Sequence, residues 1–180
     1  ESRVFSMMSF IAFAVAFYRI GNVFDAEPEV FGAVTSLATL GGLLGVWILK
    51  KWKDDKFALP LFLTTLFVQA LILGGTIIVF GVQLYDRDSS QLWNLASVFT
   101  WGSAFIFFVL ADILVPFIFF SWFAALALIP IPWFIGSAFD MEIAGLALLH
   151  MVWGLILSVV SEAVHRFDKT RKFSLPMLLA

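Results

Sequence analysis

The chain has 180 residues, of which 62% are apolar and 13% charged, with a formal net charge of −2. Soluble domains average about 45–50% apolar and about 25% charged residues, so this composition belongs to a protein whose solvent is lipid. The small net charge and the lack of a basic stripe exclude nucleic acid as a partner, and the absence of Cys excludes disulfides, iron–sulfur clusters, thiolate zinc and a Cys nucleophile.

Charges divide the sequence into apolar spans. The first span covers 4–24 and is interrupted only near its end, by Arg19 and Asn22. An acidic loop from Asp25 to Glu29 leads to a second span, 30–49, closed by the basic cluster Lys50, Lys51, Lys53 and Lys56. The third span, 57–84, places Pro60 in its first turn, where a missing N–H costs least. A polar loop through Asp86, Arg87 and Asp88 follows, with Ser90 as a helix N-cap.

Between Gln91 and Asp140 the only charge is Asp112. At about 1.5 Å per residue that stretch is about twice what a hydrocarbon core of about 30 Å needs, so it crosses twice. Pro116 lies near its midpoint, and a residue preceding proline avoids helical geometry. The split gives spans 91–114 and 116–139; the rival cut at Pro130-Ile131-Pro132 would give five crossings instead of six. Charge bias decides. Six crossings put Arg3, the lysines from Lys50 to Lys56, Arg166, Lys169, Arg171 and Lys172 on one side. Only Arg19 and Arg87 remain on the other, among seven acidic residues. This is the positive-inside pattern.

The sixth span is 142–164, followed by a basic tail, 165–180. The expected fold is all-α: one polytopic membrane helix bundle of six transmembrane helices. Both termini lie on the cytoplasmic, stromal or matrix side. A β-barrel is not expected, because the spans are unbroken rather than alternating. Trp47, Trp52, Trp93, Trp101 and Trp133 are read as interfacial anchors. Glu1 in place of an initiator Met is compatible with processing or trimming.

Polar residues inside hydrocarbon are the candidate functional groups. Asp112 is either a proton or cation relay or a turn residue ahead of Pro116. In the last span Ala147, His150, Gly154, Ser158, Ser161 and His165 recur at helical spacing, opposite Leu148, Met151, Leu155 and Val159. A small and polar face of this kind is expected to point at another helix. His150 is the candidate cofactor-binding residue, towards a chlorophyll or haem metal or a quinone. His150 and His165 lie about 22 Å apart along one helix and cannot clamp one haem. Glu162 and Arg166 form an i, i+4 pair at the helix end. Arg19 snorkels to the outer interface or meets a lipid phosphate or substrate carboxylate. Gln69 is expected to hydrogen-bond across helices. The GxxxG from Gly41 to Gly45 marks close packing within the chain or at a subunit contact.

Several chemistries find no home. The sequence has no GxSxG with an accompanying His, no HExxH and no carboxylate cluster for a metal. It has no lysine inside a span, no arginine ladder and no potassium-type filter. The favoured function is a non-catalytic structural or accessory subunit of a larger membrane complex, of the energy-transducing kind. It would hold lipid, pigment or quinone, with the bilayer and other membrane subunits as partners. The alternatives are a small-solute or ion transporter, channel or solute-binding module, and a sensory or anchoring domain. The expected location is a bacterial inner membrane or an organelle inner or thylakoid membrane.

Overall fold

The computed structural model describes the backbone of residues 28–52, 55–85 and 91–167, together with Val4, Met8, Ala12, Val15 and Arg19; side chains are described for those five and for 30–52, 56–78, 91–117 and 119–163. The described residues form helices joined by short turns, with no strand among them. In chain order these are α1 (Pro28–Lys51), α2 (Asp55–Tyr85), α3 (Gln91–Leu114), α4 (Ile118–Leu128), α5 (Ile131–Ala138) and α6 (Ile143–Phe167).

Five stretches are long and apolar enough to cross a membrane: Val30–Lys51, Lys56–Ile78, Gln91–Leu114, Phe119–Ala138 and Ile143–Ala163. The described residues are all-helical, and these five stretches mark an integral membrane protein. The expected first span, 4–24, lies outside the described residues except for the five isolated positions, all helical. The tail beyond 167 lies outside them as well.

The helices fall into two compact units, α1 with α2 and α3 through α6. In the first unit α1 and α2 pair along an antiparallel seam. Ala33, Ser36, Thr39, Leu43 and Val46 are buried on α1, and Ala58, Phe62, Thr65 and Gln69 on α2. Steps of three and four residues place each set on one helical stripe. The helices approach most closely at Gly42, where a Cβ would overlap the Thr65 methyl, and at Gly45, where it would lie 3.0 Å from Leu61 Cδ2. Gly41, the other end of the GxxxG, has nothing within 4 Å of its Cβ position. The contact thus uses the i, i+3 pair Gly42 and Gly45. α2 begins at Asp55, so Pro60 stands within the helix rather than in the first turn of a span opening at Phe57. The carbonyl that loses its donor is that of Lys56, an exposed residue near the helix start, where the loss is cheap.

In the second unit both proline positions shape the chain. At Pro116 the helix breaks: α3 ends at Leu114, Phe117 is extended (φ −141°, ψ 115°), and α4 begins at Ile118. At Pro130 the chain only kinks, because Ile129 and Pro130 both keep right-handed helical angles (ψ −47° and −12°). α4 and α5 therefore form one bent candidate span, and the break at Pro116 separates it from α3. Phe108 of α3 packs on Phe120 and Phe123 of α4, with ring centroids 6.3 and 5.4 Å apart.

A C-terminal motif closes α5. The Met141 N–H donates to the Gly136 carbonyl at 2.9 Å and the Asp140 N–H to that of Ser137 at 3.3 Å. Asp140 takes the left-handed conformation, φ 49°, that this motif demands. Asp tolerates that region better than most non-glycine residues. Gly136 faces α6 closely; a Cβ there would lie 2.6 Å from Leu146 Cδ1.

Candidate functional site

The polar groups inside the spans gather at three places. In the α1–α2 seam, Ser36, Thr39 and Gln69 are fully or almost fully buried. The Ser36 hydroxyl donates to Gln69 Oε1 at 3.1 Å and accepts from Gln69 Nε2 at 3.0 Å. The Thr39 hydroxyl reaches the same Oε1 at 2.7 Å and the Ser36 carbonyl at 2.6 Å, sharing one proton between two acceptors. Gln69 thus hydrogen-bonds across helices, as its place in the third span suggests. Hydrocarbon offers these groups no water, so the cluster joins the helices through their polar atoms, by about 0.6–2 kcal/mol per bond.

The second place is the α3–α4 turn. Asp112 is 2% exposed. Its Oδ1 accepts from the Phe117 N–H at 3.1 Å, across the break that Pro116 makes. The Val115 N–H donates to the Ala111 carbonyl at 2.8 Å, so α3 keeps its helical bonding up to the proline. The carboxylate does the work of a side-chain cap for a backbone donor that the break leaves over.

The third place is α6. The stripe expected to face another helix does not do so among the described residues: Ala147, Gly154 and Ser158 are exposed, His150 is half-buried, and only Ser161 is buried. The packed edge is set one step around the helix, through Leu146, Trp153, Leu157 and Ser161. The Leu128 carbonyl would normally accept from residue 132, but Pro132 has no N–H. The Trp153 indole N–H donates to that carbonyl at 3.1 Å instead. The Leu126 carbonyl, which loses its donor at Pro130, takes the Ile129 N–H at 3.3 Å. Both orphaned carbonyls are therefore met, and the bond to the first lies on the packed edge of α6.

On that helix His150 Nδ1 lies 2.8 Å from the Leu146 carbonyl, and the Ser158 hydroxyl donates to the Gly154 carbonyl at 2.9 Å. Glu162 is exposed; the side chains of its expected partner Arg166 and of His165 lie outside the described residues. Arg19 is helical and exposed, and Asn22 and Asp25 beside it lie outside the described residues. Among the described residues no group of three His, Asp or Glu converges to hold a metal ion.

Two of the expected interfacial tryptophans are not at a surface. Trp93 and Trp101 are buried at 8% and 9% exposure, because they sit on the packed stripe of α3. Ser97 Oγ and Trp101 Nε1, one turn apart there, are buried with no hydrogen bond among the described residues. Trp47 and Trp52 are exposed, and Lys51 Nζ lies 5.3 Å from the Trp47 ring centroid, an arrangement suited to a membrane interface.

Sequence reading missed Trp153. Its signal was present: Pro132 orphans a carbonyl four residues back, and a tryptophan on the next span can donate to it. Comparison with protein-family models, curated proteins and solved structures yields no match.

Proposed function

We propose that the chain is a non-catalytic structural or accessory subunit of a larger membrane complex, and that α6 is the face it offers. The observation that carries this reading is the exposure of α6. In the most apolar eighteen-residue stretch of its span only 6% of residues are buried, against 56% in the corresponding stretch of Phe119–Ala138. Its exposed surface includes the small and polar stripe Ala147, Gly154 and Ser158, which suits close approach of another helix. The other buried polar groups described above already hold their own units together: Gln69 in the first, Asp112 in the second.

The six-span topology, with both termini on the cytoplasmic, stromal or matrix side, belongs to this proposal and draws on the basic bias of one side. Bound lipid or pigment, and residence in a bacterial inner or an organelle inner or thylakoid membrane, belong to it too.

The chain has no Cys, so a single one can be introduced cleanly. With Ser158→Cys, a tagged chain extracted in mild detergent is expected to migrate with other membrane subunits and to cross-link to one. A monodisperse monomer with no cross-linked product overturns the reading.

A further inference from the structure

We propose that His150 is an axial ligand for a metal-centred tetrapyrrole held against the exposed side of α6. The inference rests on the membrane reading of α6 and names what that surface holds. Nδ1 of His150 lies 2.8 Å from the Leu146 carbonyl oxygen. A carbonyl can only accept, so Nδ1 carries the proton, and a neutral ring then keeps its lone pair on Nε2. Metal-binding histidines are commonly oriented this way, one nitrogen donating to a backbone carbonyl while the other faces the metal.

The position makes that lone pair matter. His150 is half-buried and lies about 10 Å along a span that starts at Ile143. Hydrocarbon has no water to meet Nε2, which has no hydrogen-bond partner among the described residues. The approach is open. Ala147, three residues before, and Gly154, four residues after, are exposed, and nothing lies within 4 Å of a Cβ placed on Gly154. A flat body can therefore lie along the helix on either side of the imidazole.

The chemistry of Nε2 selects the ligand class. A bare metal ion needs several protein donors, and no such group exists among the described residues. A quinone or a lipid ester presents carbonyl oxygens, which accept and so cannot bond to an accepting nitrogen. A metal already held by four ring nitrogens needs one further donor, and a single imidazole supplies it. A hydroxyl or N–H from another subunit would also satisfy Nε2; it is the competing outcome.

The test titrates the purified full chain in detergent with zinc protoporphyrin and, separately, with iron(III) protoporphyrin. Saturable binding at about one porphyrin per chain is expected, with the ferric spectrum of ligation by one histidine. His150→Leu is expected to weaken binding about tenfold or more, and Gly154→Leu similarly, because it keeps the imidazole but fills its approach. Far-UV circular dichroism shows whether both variants remain helical. Equal affinity in either helical variant means the porphyrin sits elsewhere or merely dissolves in the micelle, and the proposal falls. It falls equally if the wild-type chain binds none saturably. In that case a Ser158→Cys cross-link to another subunit would leave the subunit reading standing alone.

Discussion

At Pro132 the ring nitrogen has no proton to give, and the Leu128 carbonyl turns to the Trp153 indole 3.1 Å away. Trp153→Phe keeps most of the ring area and removes only the donor. It is expected to destabilise the chain by about 1–3 kcal/mol, the cost of an unmet buried acceptor, measured by detergent-induced unfolding. Pro132→Ala restores a backbone N–H to the same carbonyl, so Trp153→Phe should cost less in that background; additive effects would show that the two residues do not share an acceptor. Asp112 can be tested in the same spirit. Asp112→Asn retains an oxygen for the Phe117 N–H and should leave stability near that of the parent, while Asp112→Ala should lose about 1–3 kcal/mol. A relay role makes the opposite demand: the asparagine would fail as badly as the alanine in any flux assay. Asp140, at φ 49°, should accept glycine without loss, whereas Asp140→Val should be destabilising by about 1–2 kcal/mol.

For the helices, spacing in the sequence does most of the specifying. α1 and α2 end where the charges resume, and the stripes of Ser36, Thr39, Leu43 and Gln69 follow from three- and four-residue steps. Which glycine makes the close contact was not legible. Gly41, Gly42 and Gly45 all lie in one motif, and only the crossing geometry selects Gly42 against Thr65. Gly42→Ala should therefore cost about 1–3 kcal/mol by overpacking, and Thr65→Ala should relieve much of it. Gly41→Ala, with open space at its Cβ, should be neutral or stabilising by up to about 1 kcal/mol through helix propensity. Equal effects at the two glycines, read from unfolding curves, would place the seam elsewhere. The edge of α6 that packs within the chain, through Leu146, Trp153 and Leu157, was not legible for a related reason. Small and polar residues signal that a face can pack closely, but they do not show that an indole on the neighbouring edge meets a carbonyl orphaned on α4.

For the molecule as a whole, the alternation of apolar runs and charges carries the membrane reading and the break at Pro116. A bend such as the one at Pro130 is not visible in that alternation, because prolines two residues apart permit a bend and a break alike. The side on which each terminus lies is a statement about charge bias. In a chain without Cys, single cysteines placed near Arg3 and near Lys172 should react with an impermeant maleimide from one and the same side of sealed vesicles. Labelling from opposite sides would remove the even number of crossings.

The bond between Trp153 and Leu128 joins a span to a residue that is synthesised after it. Synthesis delivers Leu128 to the membrane before Trp153 exists, and during that interval its oxygen has no helical donor. A nascent chain stopped between the two therefore carries a bent span that is not yet self-sufficient in lipid. A chain truncated between the two should therefore be less stable in detergent unfolding than one that includes Trp153, by about the 1–3 kcal/mol of an unmet buried acceptor.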